Sequence, residues 1–147
     1  MIADPDIAVS LGAPGDGAWV SIRNRVDPWG DNSIEACVQL GAPGLLAVVH
    51  QVTLSVMGDC DLLTYFDDLT GRFTGWEGSR VWESMDRDLR VEAVFESRGY
   101  VSLTWTVAPW RYADGNWTAC ATVVLEAGEQ MRQLAGDLNR ILGPQSG

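Results

Sequence analysis

One histidine, three cysteines and several close pairs of aspartates are the residues here that could do acid–base, nucleophilic or metal chemistry. A Ser-His-Asp or Cys-His arrangement would have to run through His50. That residue stands in the middle of the apolar run from Leu45 to Met57, and no G-x-S-x-G turn occurs. A structural histidine is therefore expected. A catalytic zinc site uses several nitrogen or sulfur ligands, and Cys37, Cys60 and Cys120 lack metal-ligand spacing. Asp59 with Asp61, Asp67 with Asp68, and Asp86 with Asp88 could in principle offer oxygens to a divalent cation. The same spacings are common in helix caps and turns, and they are read that way here. Neither a phosphate-binding glycine loop nor a dinucleotide fingerprint is present. These residues imply no catalytic set, no metal and no cofactor.

Tryptophan is the better functional signal, with seven in 147 residues. Trp76 lies in a glycine-flanked turn beside Glu77 and Arg80, with Trp82 following on a predicted strand, and Trp29 and Trp110 stand in two Pro-Trp loops. Aromatic residues with arginine are the types that anchor protein interfaces. The expected partner-binding set is Trp76, Glu77, Arg80, Trp82, Trp29 and Trp110. The competing expectation is that these indoles fold back over the sheet ends; binding gains support where several are exposed together.

The formal net charge of -10 comes from twenty acidic residues and ten arginines, with no lysine. Such a surface repels the phosphate backbone of nucleic acids and attracts a basic protein. No apolar run approaches the ~20 residues that span a bilayer. The acidic N-terminus is unlike a signal peptide, and the odd cysteine number suits a reducing compartment. A cytoplasmic chain is expected, without membrane contact. Its length and apolar content suit one domain over residues 1–147.

The elements that position these residues follow from periodicity. Alternation predicts strands at residues 7–11, 18–26 (interrupted at Asn24), 34–40, 80–84, 89–96, 101–107 and 117–125. The run from Leu45 to Met57 reads as a buried central strand, too long to be regular, so a bulge is expected near His50-Gln51. Leu62, Leu63, Tyr65, Phe66 and Leu69 have helical spacing after Asp59, a candidate N-cap, and Gly71 stops the helix. A second helix is expected from about Ala127 to Leu142, burying Met131, Leu134, Ala135, Leu138, Ile141 and Leu142. The fold class is α+β: a mostly antiparallel sheet of about eight strands with two helices packed on one face.

A weak repeat also shows. Val20 to Trp29 lines up with Val101 to Trp110, and Val52-Thr53-Leu54 leading to Asp68-Leu69 resembles Ala121-Thr122-Val123 leading to Asp137-Leu138. Two pseudo-symmetric halves are expected.

At Gly75-Trp76-x-Gly78-x-x-x-Trp82, and at Leu125-Glu126-Ala127-Gly128-Glu129-Gln130 with its closing helix, the chain resembles a family of uncharacterised actinobacterial domains. It is also similar to small immunity proteins of polymorphic toxin systems. The resemblance implies an α+β fold and a partner-blocking role. With the acidic balance, the expected function is a non-enzymatic interaction module, immunity- or antitoxin-like. The alternatives are a small-ligand binder or enzyme with a cavity between sheet and helices lined by Trp82, Trp105 and Phe66, and an assembly subunit joined through an edge strand.

Overall fold

The computed structural model describes residues 9–12, 17–59, 61–109 and 114–143. Strands β1 (Val9–Leu11), β2 (Trp19–Val26), β3 (Glu35–Ala42) and β4 (Leu45–Thr53) precede helix α1 (Asp61–Gly71). Strands β5 (Ser79–Glu83), β6 (Leu89–Glu96), β7 (Tyr100–Val107) and β8 (Ala119–Glu126) precede helix α2 (Glu129–Leu142). All pairings are antiparallel between sequential neighbours. The eight strands form two four-stranded sheets, β1-β2-β3-β4 and β5-β6-β7-β8, so each half is a meander followed by a helix.

Each sheet has one apolar face. On β7, Val101, Leu103, Trp105 and Val107 are buried, and Ser102, Thr104 and Thr106 alternate with them on the wetter face. There the Thr104 and Thr122 hydroxyls meet at 2.8 Å across the β7–β8 pair. Strands β2, β3 and β4 approach β7 and β8 across the interior, α2 runs beside β1 and β8, and the helices pack on each other. One core results, shared by both sheets and both helices. All six apolar positions expected of α2 are buried.

The halves are similar, but their equivalence differs from the strongest sequence match. Aligning Val20–Trp29 with Val101–Trp110 sets the second strand of one half against the third of the other. The weaker match, from Val52 and Asp68 to Ala121 and Asp137, pairs β4 with β8 and α1 with α2, as the topology requires.

The run from Leu45 corrects a further expectation. β4 is an edge strand of its sheet, not a central one. The bulge is where it was expected: Ala36 pairs with Val52 and Val38 with Val49, so Cys37 faces both His50 and Gln51. That extra residue reverses the phase. Leu45, Ala47 and Val49 pack inward before it, Val52 and Leu54 after it, and Leu46 and His50 are left exposed. Asn24, where β2 was expected to break, has φ 58° beside the β2–β3 register shift. Asp59, before α1, pairs through its backbone with Val56 around a two-residue turn. Cys37 is buried as expected, but Cys120 is exposed.

Phe66 has no solvent exposure and stacks on Trp105, with ring centroids 5.9 Å apart. Phe66→Ala should cost about 3–5 kcal/mol by leaving a cavity, whereas Leu46→Ala on the open side of β4 should change stability by less than about 0.5 kcal/mol. Urea unfolding of the two variants measures the contrast.

Candidate functional site

Four connections gather at one end of the molecule: residues 27–34 after β2, 54–59 after β4, 84–88 after β5, and the described residues 108–109 and 114–118 after β7. The first two are tied together. Ile34 N donates to Ser55 O at 3.0 Å, Leu54 N to Ile34 O at 2.9 Å, and Gly58 N to Asn32 O at 2.9 Å. Ser55 Oγ also donates to Asn32 O, and Met57 N to Ser33 Oγ. Within the first connection, Ser33 N donates to Asp31 Oδ1 in an Asx turn, and Asn32 N donates to Asp27 Oδ2 across the loop.

Val56 and Asp59 close a two-residue turn whose central residues, Met57 and Gly58, have φ of 52° and 84°. Two positive φ values suit Asn-Gly or Asp-Gly. Met57 holds one instead, at some cost in backbone strain, and displays its side chain at the tip.

The 84–88 turn is clasped from inside. Ser84 Oγ donates to Asp88 Oδ1 at 2.5 Å and accepts from the backbone N–H groups of Asp88 and Leu89. Ala108 N donates to Asp88 O, which fastens the end of β7 to this turn. Burial raises the Asp88 carboxyl pKa; the hydrogen bonds from Ser84 and its own backbone oppose that shift in part, and Asp86 adds to it.

This platform presents apolar side chains outward. Trp29 is 67% exposed, Met57 76% and Met85 69%, and Trp117 is also exposed. Around them stand the exposed carboxylates of Asp31, Asp59, Asp61, Glu83, Asp86 and Asp114. The ion pairs among the described residues lie elsewhere, on α1 with β5, on β6 and on α2. A cleft of about 280 Å³ opens between the segment from Thr53 to Val56 and the end of β5, with Trp82, Asp59, Asp61 and Glu83 among its lining residues. A second, of about 300 Å³, lies against Trp117, Asp86 and Arg87.

The six residues expected to bind a partner do not meet in one place. Trp29 and Trp82 belong to this end. Trp76 and Glu77 precede β5 at its other end, and there Trp76 has folded back: its Nε1 donates to Ala93 O at 3.4 Å and its ring meets Phe95 edge-on at 5.4 Å. Arg80 is paired with Asp68 at 3.0 Å, and its carbonyl accepts from the Tyr65 hydroxyl. Burial raises the Tyr65 pKa. Glu77 is exposed beside them, and Trp110 lies outside the described residues. Of the three aromatic residues expected around an internal cavity, Phe66 and Trp105 are fully buried against each other, and Trp82 borders the open cleft. Met57, Met85 and Trp117 are additions to the expected set. The signal for Met57 was the Met57-Gly58 pair at the end of an apolar run, where a turn takes a side chain out of phase.

His50 is exposed on β4. Cys37 is buried, and burial raises its thiol pKa above the ordinary range, with Arg23 nearby opposing the shift. A buried thiol held protonated is a poor nucleophile. No group of three or more metal-ligating side chains occurs among the described residues, nor any helix long and apolar enough to cross a membrane.

A family model described as a family of unknown function (DUF6228) matches residues 12–145. The chain belongs to that family. Neither a curated protein nor a solved structure matches it. The DUF6228 match takes in β2 to β8 and both helices, so the loop platform lies inside the family's domain.

The Ser84–Asp88 clasp sets an acid-side signature. A carboxyl whose folded pKa is raised binds its proton more tightly in the folded state. Its effect is therefore most favourable below the ordinary value of 3.8, and stability is lost as pH rises from there through the folded pKa. Asp88→Asn should remove this slope and keep the acceptor for Ser84, while Ser84→Ala should cost about 1–3 kcal/mol by orphaning buried partners. Denaturant unfolding across the acid range tests both.

Proposed function

We propose that this chain is a non-enzymatic, acidic interaction module that binds and blocks a basic partner protein, in the manner of an immunity or antitoxin-like factor. The observation that carries the reading is the loop platform, where exposed Trp29, Met57, Met85 and Trp117 are ringed by carboxylates without ion-pair partners among the described residues. Large apolar side chains in a charged rim are the ordinary anatomy of a protein interface. The carboxylates steer a basic partner into encounter, and the apolar groups hold it after contact. The backbone pins behind Trp29 and Met57 keep the surface in place before binding, which lowers the ordering cost.

The partner is sought among the products of neighbouring genes, with the chain as bait and rescue of a co-expressed toxic product as the functional readout. The expected complex associates faster at low salt than at about 0.5 M, because long-range attraction between exposed charges is screened. Trp29→Ala should weaken it about tenfold or more, the scale of an interface anchor. Met57→Asn should separate stability from function. It places a residue suited to positive φ in the turn, raising stability by about 0.5–1 kcal/mol, and it removes an apolar contact, weakening the complex. Binding to none of the neighbouring products, with no rescue, rejects the proposal.

A further inference from the structure

We infer that β4 pairs with β4 of a second copy of this chain, antiparallel about a twofold axis at Ala47, so that two first-half sheets join edge to edge. This is independent of the partner reading above, whose residues Trp29, Met57, Met85 and Trp117 lie at the far end of the molecule from the Pro43-Gly44 hairpin.

A sheet edge presents unpaired N–H and C=O groups to any strand that can reach them, so folded chains ordinarily shield their edges. Three of the four edges here are shielded. β1 has three residues and runs beside α2, and β8 also runs beside α2. β5 has five residues, carries Arg80 and Glu83, and its Arg80 carbonyl already accepts from the Tyr65 hydroxyl of α1. β4 has nine residues, and among the described residues no element other than β3 hydrogen-bonds to its backbone. It also lacks charge: residues 36–58 contain none of the chain's twenty acidic residues and ten arginines. The bulge at His50-Gln51 confines the open edge to the regular segment 45–49.

The hairpin turn decides which groups face outward. Ala42 and Leu45 flank the two-residue turn and exchange hydrogen bonds; Leu40 with Ala47 and Val38 with Val49 do the same, because bonded and non-bonded pairs alternate along an antiparallel ladder. Leu46 and Val48 fall between these pairs and turn their N–H and C=O groups away from β3. A twofold axis at Ala47 sets Leu46 opposite Val48 of the second copy, so these groups bond across the axis. The same register lays the two side chains against each other and covers Leu46, which is 68% exposed. On the inner face Leu45 meets Val49 of the second copy, and each is only partly buried within one copy. Charge selects this occupant. Two chains of net charge -10 repel over most of their surfaces, and the uncharged edge is where they can approach. The pairing closes at two copies, since each contributes its one open edge.

The test is sedimentation equilibrium of the full chain from about 10 µM to about 1 mM, at about 0.1 M and about 0.5 M salt, with 15N spectra at both concentrations. A five-residue pairing buries less than a standard interface, so the expected monomer–dimer dissociation constant is on the order of 100 µM. Higher salt should tighten it by screening the repulsion, and the concentration-dependent shifts should centre on residues 44–50. Leu46→Lys should raise the constant about tenfold or more by placing a charge on the edge. Val48→Pro removes an N–H that β3 does not use and should act likewise, with circular dichroism unchanged in both variants. Val81→Lys, the same charge change on exposed β5, should leave dimerisation as it is. A strict monomer at the highest concentration, shifts centred away from β4, growth beyond two copies, a dimer that salt weakens, or a dimer that Leu46→Lys leaves intact overturns the inference.

Discussion

The stack of Phe66 on Trp105 is the contact on which the two halves depend. Phe66 belongs to the helix that ends the first half, and Trp105 to the third strand of the second. Each half alone is a four-stranded meander with one apolar face and one amphipathic helix. Burying that face requires the other half, and the shared core shows that neither is closed by itself. The ring pair fixes α1 against the second sheet, and the Tyr65 hydroxyl bonded to Arg80 O adds a polar tie beside it. A large indole in that position has its own cost, because Trp105 Nε1 is buried without a hydrogen-bond partner among the described residues.

With α1 fixed, the two ends of the molecule diverge. One end carries the Pro43-Gly44 hairpin between β3 and β4, the Ser97–Gly99 turn between β6 and β7 and the connection from α1 to β5. The other carries the connections after β2, β4, β5 and β7. Long loops are ordinarily the loosest parts of a domain, but here residues 27–34 and 54–59 are bonded to each other through backbone and serine hydroxyls. That bonding lets a tryptophan and a methionine stand in solvent on a firm base. The left-handed Met57 fits the same account, since strain kept at an exposed tip points to a role for its side chain beyond folding.

What was legible in the sequence follows from which interactions are local. The α2 face, the β6 and β7 alternation, the break at Asn24 and the bulge at His50-Gln51 all depend on periodicity or on a conflict in it. The position of β4 at an edge depends on which strand lies beside it, and its apolar content does not reveal that. Leu45 and Ala47 face the core, and their neighbour Leu46 does not, yet all three read alike before the bulge is placed. The exposed loop platform was half legible. Trp29 stands out because Asp-Pro-Trp-Gly is a loop by its own chemistry. Trp76 has the same local appearance, with glycines on both sides, and its fate is decided by Phe95 and Ala93 on a strand some seventeen residues away.

The repeat separates the core from the connections. β2 begins at Trp19 and β6 at Leu89, seventy residues apart, and the helices follow at nearly the same interval. The equivalent elements share their role in the core, so the repeated pattern is spent on packing. The halves differ in their connections. The first half has its long loop after its second strand, where Trp29 lies, and the second half after its third, where Trp117 lies. The Pro-Trp resemblance between those loops thus joins positions that the topology does not equate. Both connections still reach the same end, because the ends of β4 and β5 lie side by side across the cleft, and in each meander every second connection returns to that side. Trp29 and Trp117 are exposed on the connections in which the two halves differ, where a repeated scaffold can vary without disturbing the core that both halves must complete.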